Sequence, residues 1–158
     1  MNKILPLCLT LITAACSMDK SASMLQDTTD SKYHVGDIYA FQSRPTEPNA
    51  RLTVVKVEYQ KKIGTVIHIR VDSVKVKTSQ NPVRYSTVIT HMPFSKPALD
   101  SSGLRKLGEA KTIPDYQEGY NEWRASFDKG NAGVFTISVG KSVEYMEKTA
   151  IGGHTVDE

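Results

Sequence analysis

The sequence predicts an α+β domain, an antiparallel sheet of about four or five strands with two or three helices packed on one face. Three observations lead there. From Ile38 to Thr90 the apolar residues recur at a period of two, and the runs are separated by turns rich in proline and glycine. From Asp115 to Lys129 the period becomes helical. The strand-like runs also come first and the helical ones afterwards, with no alternation of the kind that builds a parallel sheet.

Each element has its own signal. Ile38-Tyr39-Ala40-Phe41 reads as a first strand, stopped by Arg44-Pro45-Thr46-Glu47-Pro48-Asn49, whose prolines force a loop. Leu52 to Tyr59 follows, with Val55, Val57 and Tyr59 on one face and Lys56 and Glu58 on the other. Lys61-Lys62-Ile63-Gly64 makes a turn. From Thr65 to Lys77 the residues Ile67, Ile69 and Val71 share one parity and Val74 and Val76 the other, which requires a bulge or bend near Asp72-Ser73. Gln80-Asn81-Pro82 turns the chain into a strand from Val83 to Thr90, with Met92-Pro93 as its stop. Four such strands with short connections form a meander.

The helical part begins with Ser95 capping a short helix that has Pro97 in its first turn, faces Leu99 and Leu107 inward and is weakened by Ser101-Ser102-Gly103. The strongest helix runs from Asp115 to Lys129. Tyr116, Tyr120, Trp123 and Phe127 lie on one stripe of it, with Pro114 before it and Gly130 after it. Gly133 to Ile137 is short and β-like. Ser138 then caps a last helix carrying Val139, Val143, Met146 and Ala150 at helical spacing.

The first sixteen residues have a different character. Lys3 precedes a mostly apolar stretch, Ile4 to Ile12, too short to span a bilayer, and Ala14-Ala15-Cys16 follows. This segment resembles a bacterial lipoprotein signal with its lipobox, although Thr13 stands where leucine is usual. The resemblance implies cleavage before Cys16 and diacylglycerol on its sulfur. Two or three acyl chains give the stable anchoring that one chain does not. Ser17 rather than aspartate after Cys16 implies the outer membrane. The expected organisation is a signal peptide at 1–15, lipidated Cys16 and a flexible tether at 16–32, one α+β domain at 33–151, and a disordered tail at 152–158.

Loss of the signal leaves 143 of 158 residues, enough for one core, with 19 basic and 17 acidic side chains. A net charge of +2 gives no reason to expect nucleic acid as a partner. Cys8 leaves with the signal and Cys16 carries lipid, so no disulfide is expected. His34, His68, His91 and His154 show no paired ligand spacing. His68 and His91 can meet if their strands pair, with Met92 as a soft neighbour, yet no metal or other cofactor is expected.

No catalytic residue is assigned, because the sequence holds no nucleophile elbow, phosphate loop or zinc-helix motif. Asp115 and Glu118 are acids at a helix start. Two surfaces remain as partner or ligand candidates: the stiff charged loop with Arg44 and Glu47, and the aromatic stripe with Tyr116, Tyr120 and Trp123. The stripe's spacing is also what helix-to-sheet packing requires.

Gly36-Asp37-Ile38-Tyr39 through Arg44-Pro45-Thr46-Glu47 to Leu52–Glu58 resembles a widespread, uncharacterised family of small bacterial proteins. So do the run Pro114–Tyr120, Trp123, Phe127 and Ala132–Val139. The resemblance covers Tyr33 to Ala150 and implies an independent domain with no activity attached. The expected function is therefore that of an envelope lipoprotein, anchored through Cys16, with a non-catalytic role in binding or supporting a protein partner. Immunity against a toxin and carriage of a small apolar ligand are the alternatives, and an enzyme is the least supported.

Overall fold

The computed structural model describes residues 24–152. The expected signal segment and lipidation position, Cys16, together with His154 and the rest of the expected tail from 153 onward, lie outside the described residues. The elements in chain order are β1 (Gln26–Asp27), β2 (Asp37–Ala40), β3 (Arg51–Gln60), β4 (Gly64–Gln80), β5 (Val83–Ser95), α1 (Lys96–Asp100), β6 (Arg105–Glu109), α2 (Gln117–Asp128) and α3 (Val139–Gly152). They form the α+β architecture expected. All six strands belong to one antiparallel sheet, in the order β5-β4-β3-β2-β6, and β1 pairs with β3 beyond the end of β2.

One sheet face carries the main core. Leu52, Val54, Val57, Ile67, Ile69 and Val71 are buried there against Leu99 of α1 and Val139 and Val143 of α3. Each such side chain contributes about 1.5–3 kcal/mol on burial. The bend expected in β4 is present: Ser73 has φ 61°, the pairing register slips between Asp72 and Val76, and Val74 and Val76 rejoin the core. A second irregularity, in β3 between Val54 and Lys56, makes Val55 the extra residue and keeps both Val54 and Val57 inward. The simple alternation expected for Leu52 to Tyr59 is corrected accordingly, and Tyr59 at the strand end is exposed.

α3 seats closely on the chain after β2. A Cβ at Gly140 would lie 2.5 Å from the Gln42 carbonyl oxygen, so only glycine fits. Two helices, α1 and α3, thus cover the core face. α2, expected beside them, lies on the opposite face. Its stripe ends in hydroxyl, indole and guanidinium groups, which need polar partners that the aliphatic face does not offer.

Other expectations also change. The folded unit starts before the expected boundary at 33, because Leu25 is buried and β1 pairs Gln26 with Tyr59. The last part of the expected tether therefore belongs to the sheet. β5 continues through Met92-Pro93 to Ser95; proline is tolerated because β5 is an edge strand, and the Pro93 carbonyl accepts from Phe135 N at 2.8 Å. Leu107, expected inward on a helix, is exposed on the edge strand β6. Its neighbours Arg105, Lys106 and Glu109 hide a strand from any hydrophobic pattern. Gly133 to Ile137 contributes a single bridge, Phe94 to Phe135.

Candidate functional site

The sheet face opposite the main core has a covered half and an open half. The covered half is polar beneath its aromatic roof. Strand alternation sends Glu58 of β3, His68 of β4 and His91 of β5 away from the aliphatic core, and α2 closes over them. His68 Nδ1 lies 2.9 Å from His91 Nε2, and His68 Nε2 lies 3.0 Å from Glu58 Oε2. The second contact has ion-pair distance without the alignment of a hydrogen bond. A carboxylate only accepts, so His68 carries its proton on Nε2 and accepts from His91 Nε2–H.

α2 is tied down by the same carboxylate. Tyr120 donates to Glu58 at 3.0 Å, and Arg124 reaches it at 3.3 Å while also binding Asp128. Trp123 packs its ring against both imidazoles and donates from Nε1 to the Gly133 carbonyl at 2.8 Å. Tyr116 stacks edge-on to Tyr120. Close approach is possible because residue 119 is glycine: a Cβ there would lie 3.0 Å from His91 Cβ and 3.1 Å from Thr90 Oγ1.

Burial governs the protonation states. It pushes His91 down to about 3, with His68 adding to the effect, and it also lowers His68 despite the neighbouring Glu58. Burial works against ionisation of Glu58, but the His68 contact, the Tyr120 hydroxyl and the Lys56 ammonium outweigh it and hold the carboxyl below its ordinary value. The two imidazoles are neutral at pH 7 and bonded to each other. His68 and His91 meet as their strand pairing allows, yet no cluster among the described residues is arranged to hold a metal ion. Met92 faces the main core instead.

The loop with Arg44 and Glu47 is not the free charged surface expected. Arg44 pairs with Glu47 and with Glu147 of α3, and Glu47 also accepts from the Lys75 backbone. Glu47 is only 5% exposed. The loop is fastened because the bend in β4 and the α3 surface both present groups that its charges can satisfy.

The open half lies beyond Arg70, which donates to Asp72 at 3.1 Å and to the Asp115 carbonyl at 2.9 Å, tying the start of α2 to the sheet. Past it runs a trough of two adjoining clefts, each about 470 Å³, that share Arg51 and Leu107. Ile38, Thr53, Ala110 and Pro114 line one; Ala40, Asn49, Ser73 and Arg105 line the other. Arg51 and Arg105 escaped sequence reasoning because isolated arginines on strand ends look solvated. The available signal was register, since both pair with Ala40 from opposite sides.

No protein-family model, no curated protein and no solved structure matches this chain.

Proposed function

We propose that the chain is an envelope lipoprotein, held at the outer membrane by lipid on Cys16, whose domain works by binding a partner protein without catalysing a reaction. The observation that carries this reading is the open half of the sheet face, where Ile38 and Leu107 stand beside Arg51 and Arg70 and, among the described residues, no helix lies over them. The groups closest in type to a catalytic set, Glu58, His68 and His91, are closed beneath α2, the two imidazoles hydrogen-bonded to each other and His68 within ion-pair distance of Glu58. The lipobox-like segment supports the address, and the one core shared by the sheet, α1 and α3 supports an independent domain.

The experiment is crosslinking and capture of the tagged full-length protein from native membranes, with Cys16→Ser and Leu107→Arg in parallel. One stoichiometric partner is expected, retained by Cys16→Ser after its release from the membrane fraction and lost with Leu107→Arg at unchanged circular dichroism. Failure to capture a specific partner at ample copy number, or capture indifferent to Leu107→Arg, overturns the reading.

A further inference from the structure

The trough ends over Ala40, and its register is unusual. Ala40 of β2 is paired with Arg51 of β3 on one side and with Arg105 of β6 on the other. Residues directly opposite in a sheet point to the same face, so the two arginines stand on either side of a small side chain, their strands roughly 10 Å apart. Both line the same cleft of about 470 Å³, with Ala40 between them.

Among the described residues, neither guanidinium has an ion pair or a side-chain hydrogen bond. The acids nearby are engaged elsewhere. Asp72, opposite Arg51, takes both contacts of Arg70 Nε at 3.1 and 3.3 Å, and Glu109 pairs with Lys106. Two more polar side chains, Asn49 and Ser73, stand on the lip. Ser73 holds φ 61°, a conformation a serine rarely adopts, which sets it at the bend of β4 beside the cleft.

We propose that this end of the trough binds a phosphate monoester, gripped between Arg51 and Arg105 over Ala40. The inference deepens the proposed function and rests on its reading that the open half of the face is where the protein binds. Charge and shape choose the ligand class. One guanidinium fork satisfies a planar carboxylate, whereas two forks converging from opposite sides suit a group with three terminal oxygens and a charge of about −1.5 to −2 at pH 7. The hydroxyl and amide on the lip supply further donors. Leu107, shared with the second cleft, offers an apolar wall to whatever body the monoester carries.

The test is titration of the full-length protein in detergent micelles with sn-glycerol 3-phosphate, and separately with phosphatidate doped into the micelle, following arginine side-chain Nε–H and Ala40 amide NMR resonances. Saturable shifts at Ala40, Arg51 and Arg105 are expected with at least one probe. The soluble probe identifies a free monoester as the source, and phosphatidate alone identifies a lipid headgroup. Arg51→Gln and Arg105→Gln should each weaken binding about tenfold, acetate should bind at least about tenfold more weakly than the monoester, and Lys61→Gln in the remote turn should change nothing. No shift with either probe overturns the proposal. So does unaltered binding in the Arg51→Gln/Arg105→Gln double variant, or acetate equal to the monoester. Monoester binding without any captured partner sinks the proposed function alone; partner capture without monoester binding sinks this site alone.

Discussion

The two halves of one sheet face, built on the same strands β3 and β4, have opposite fates. Around Glu58 and His68 every charge has a partner and a helix lies on top; around Arg51 cations stand open to solvent. The difference is set by α2. Its Tyr120, Trp123 and Arg124 match the polar groups beneath, and its start is held where Arg70 donates to the Asp115 carbonyl. Beyond that point the chain runs as a loop whose Thr112 and Pro114 line the first cleft without closing it. A buried polar cluster must be satisfied completely to be tolerated, whereas an exposed one can wait for a ligand.

The contrast can be broken first at Trp123. Truncation to alanine removes the ring from both imidazoles and leaves the exposed Gly133 carbonyl to water. Because the ring is only partly buried, a loss of about 2–3 kcal/mol in urea unfolding is expected, below the range for a fully buried aromatic. A loss below about 1 kcal/mol would mean that the roof carries little of the stability of the covered half.

Acid sharpens the same comparison. The unfolded chain protonates a histidine near its ordinary 6.5, while His91 in the folded state resists until about 3. The unfolded state thus binds more protons in this window, and stability falls as pH drops through it, by up to about 1.4 kcal/mol per pH unit for each such histidine. Glu58, Lys56 and Arg124 face the pair, and the carboxylate's own loss belongs to lower pH, because its pKa is depressed. Urea midpoints between about pH 6.5 and 5 should therefore slope downward, and His91→Phe should flatten the slope.

A smaller effect is expected at Gly119. Alanine there presses on His91 Cβ and Thr90 Oγ1, which a paired strand cannot easily withdraw. The strain should outweigh the gain in helix propensity and leave a net loss of about 1 kcal/mol in thermal unfolding. The smallest change belongs to the open half. Arg51→Gln and Arg105→Gln should alter stability by no more than about 0.5 kcal/mol, since nothing in the fold depends on them. A large loss at either position would give these arginines a structural role and remove the contrast.

Much of the framework was legible in the sequence. β-rich runs bounded by proline and glycine turns located β2 to β5, the parity change located the bend at Ser73, and helical spacing located α2 and α3. What stayed hidden has physical reasons. β6 is an exposed edge strand whose RKLGE has no buried face to impose a pattern. The bulge at Val55 leaves no mark in a row of similar residues. The position of α2 depended on a partner for its polar tips, supplied by Glu58, and on the His68 ring to pack against, both of which a strand pattern presents simply as the outward face. Lys56 belongs to that face too. The aromatic stripe, a candidate surface whose spacing also suits helix-to-sheet packing, packs on this sheet against histidines rather than aliphatics.

The two-residue strand β1 bears on how the domain meets a membrane. With lipid on Cys16, as proposed, any leash ends no later than Met24, because Leu25 is buried and Gln26 is paired. Eight steps of backbone reach roughly 28 Å at most, against the roughly 55 Å that a leash ending at 32 would allow. Halving a leash cuts the hemisphere it sweeps about eightfold, and the effective concentration of the domain for anything fixed in the same membrane rises by a like factor. One short strand would thereby turn a roaming domain into a sentry confined to its own patch of the bilayer.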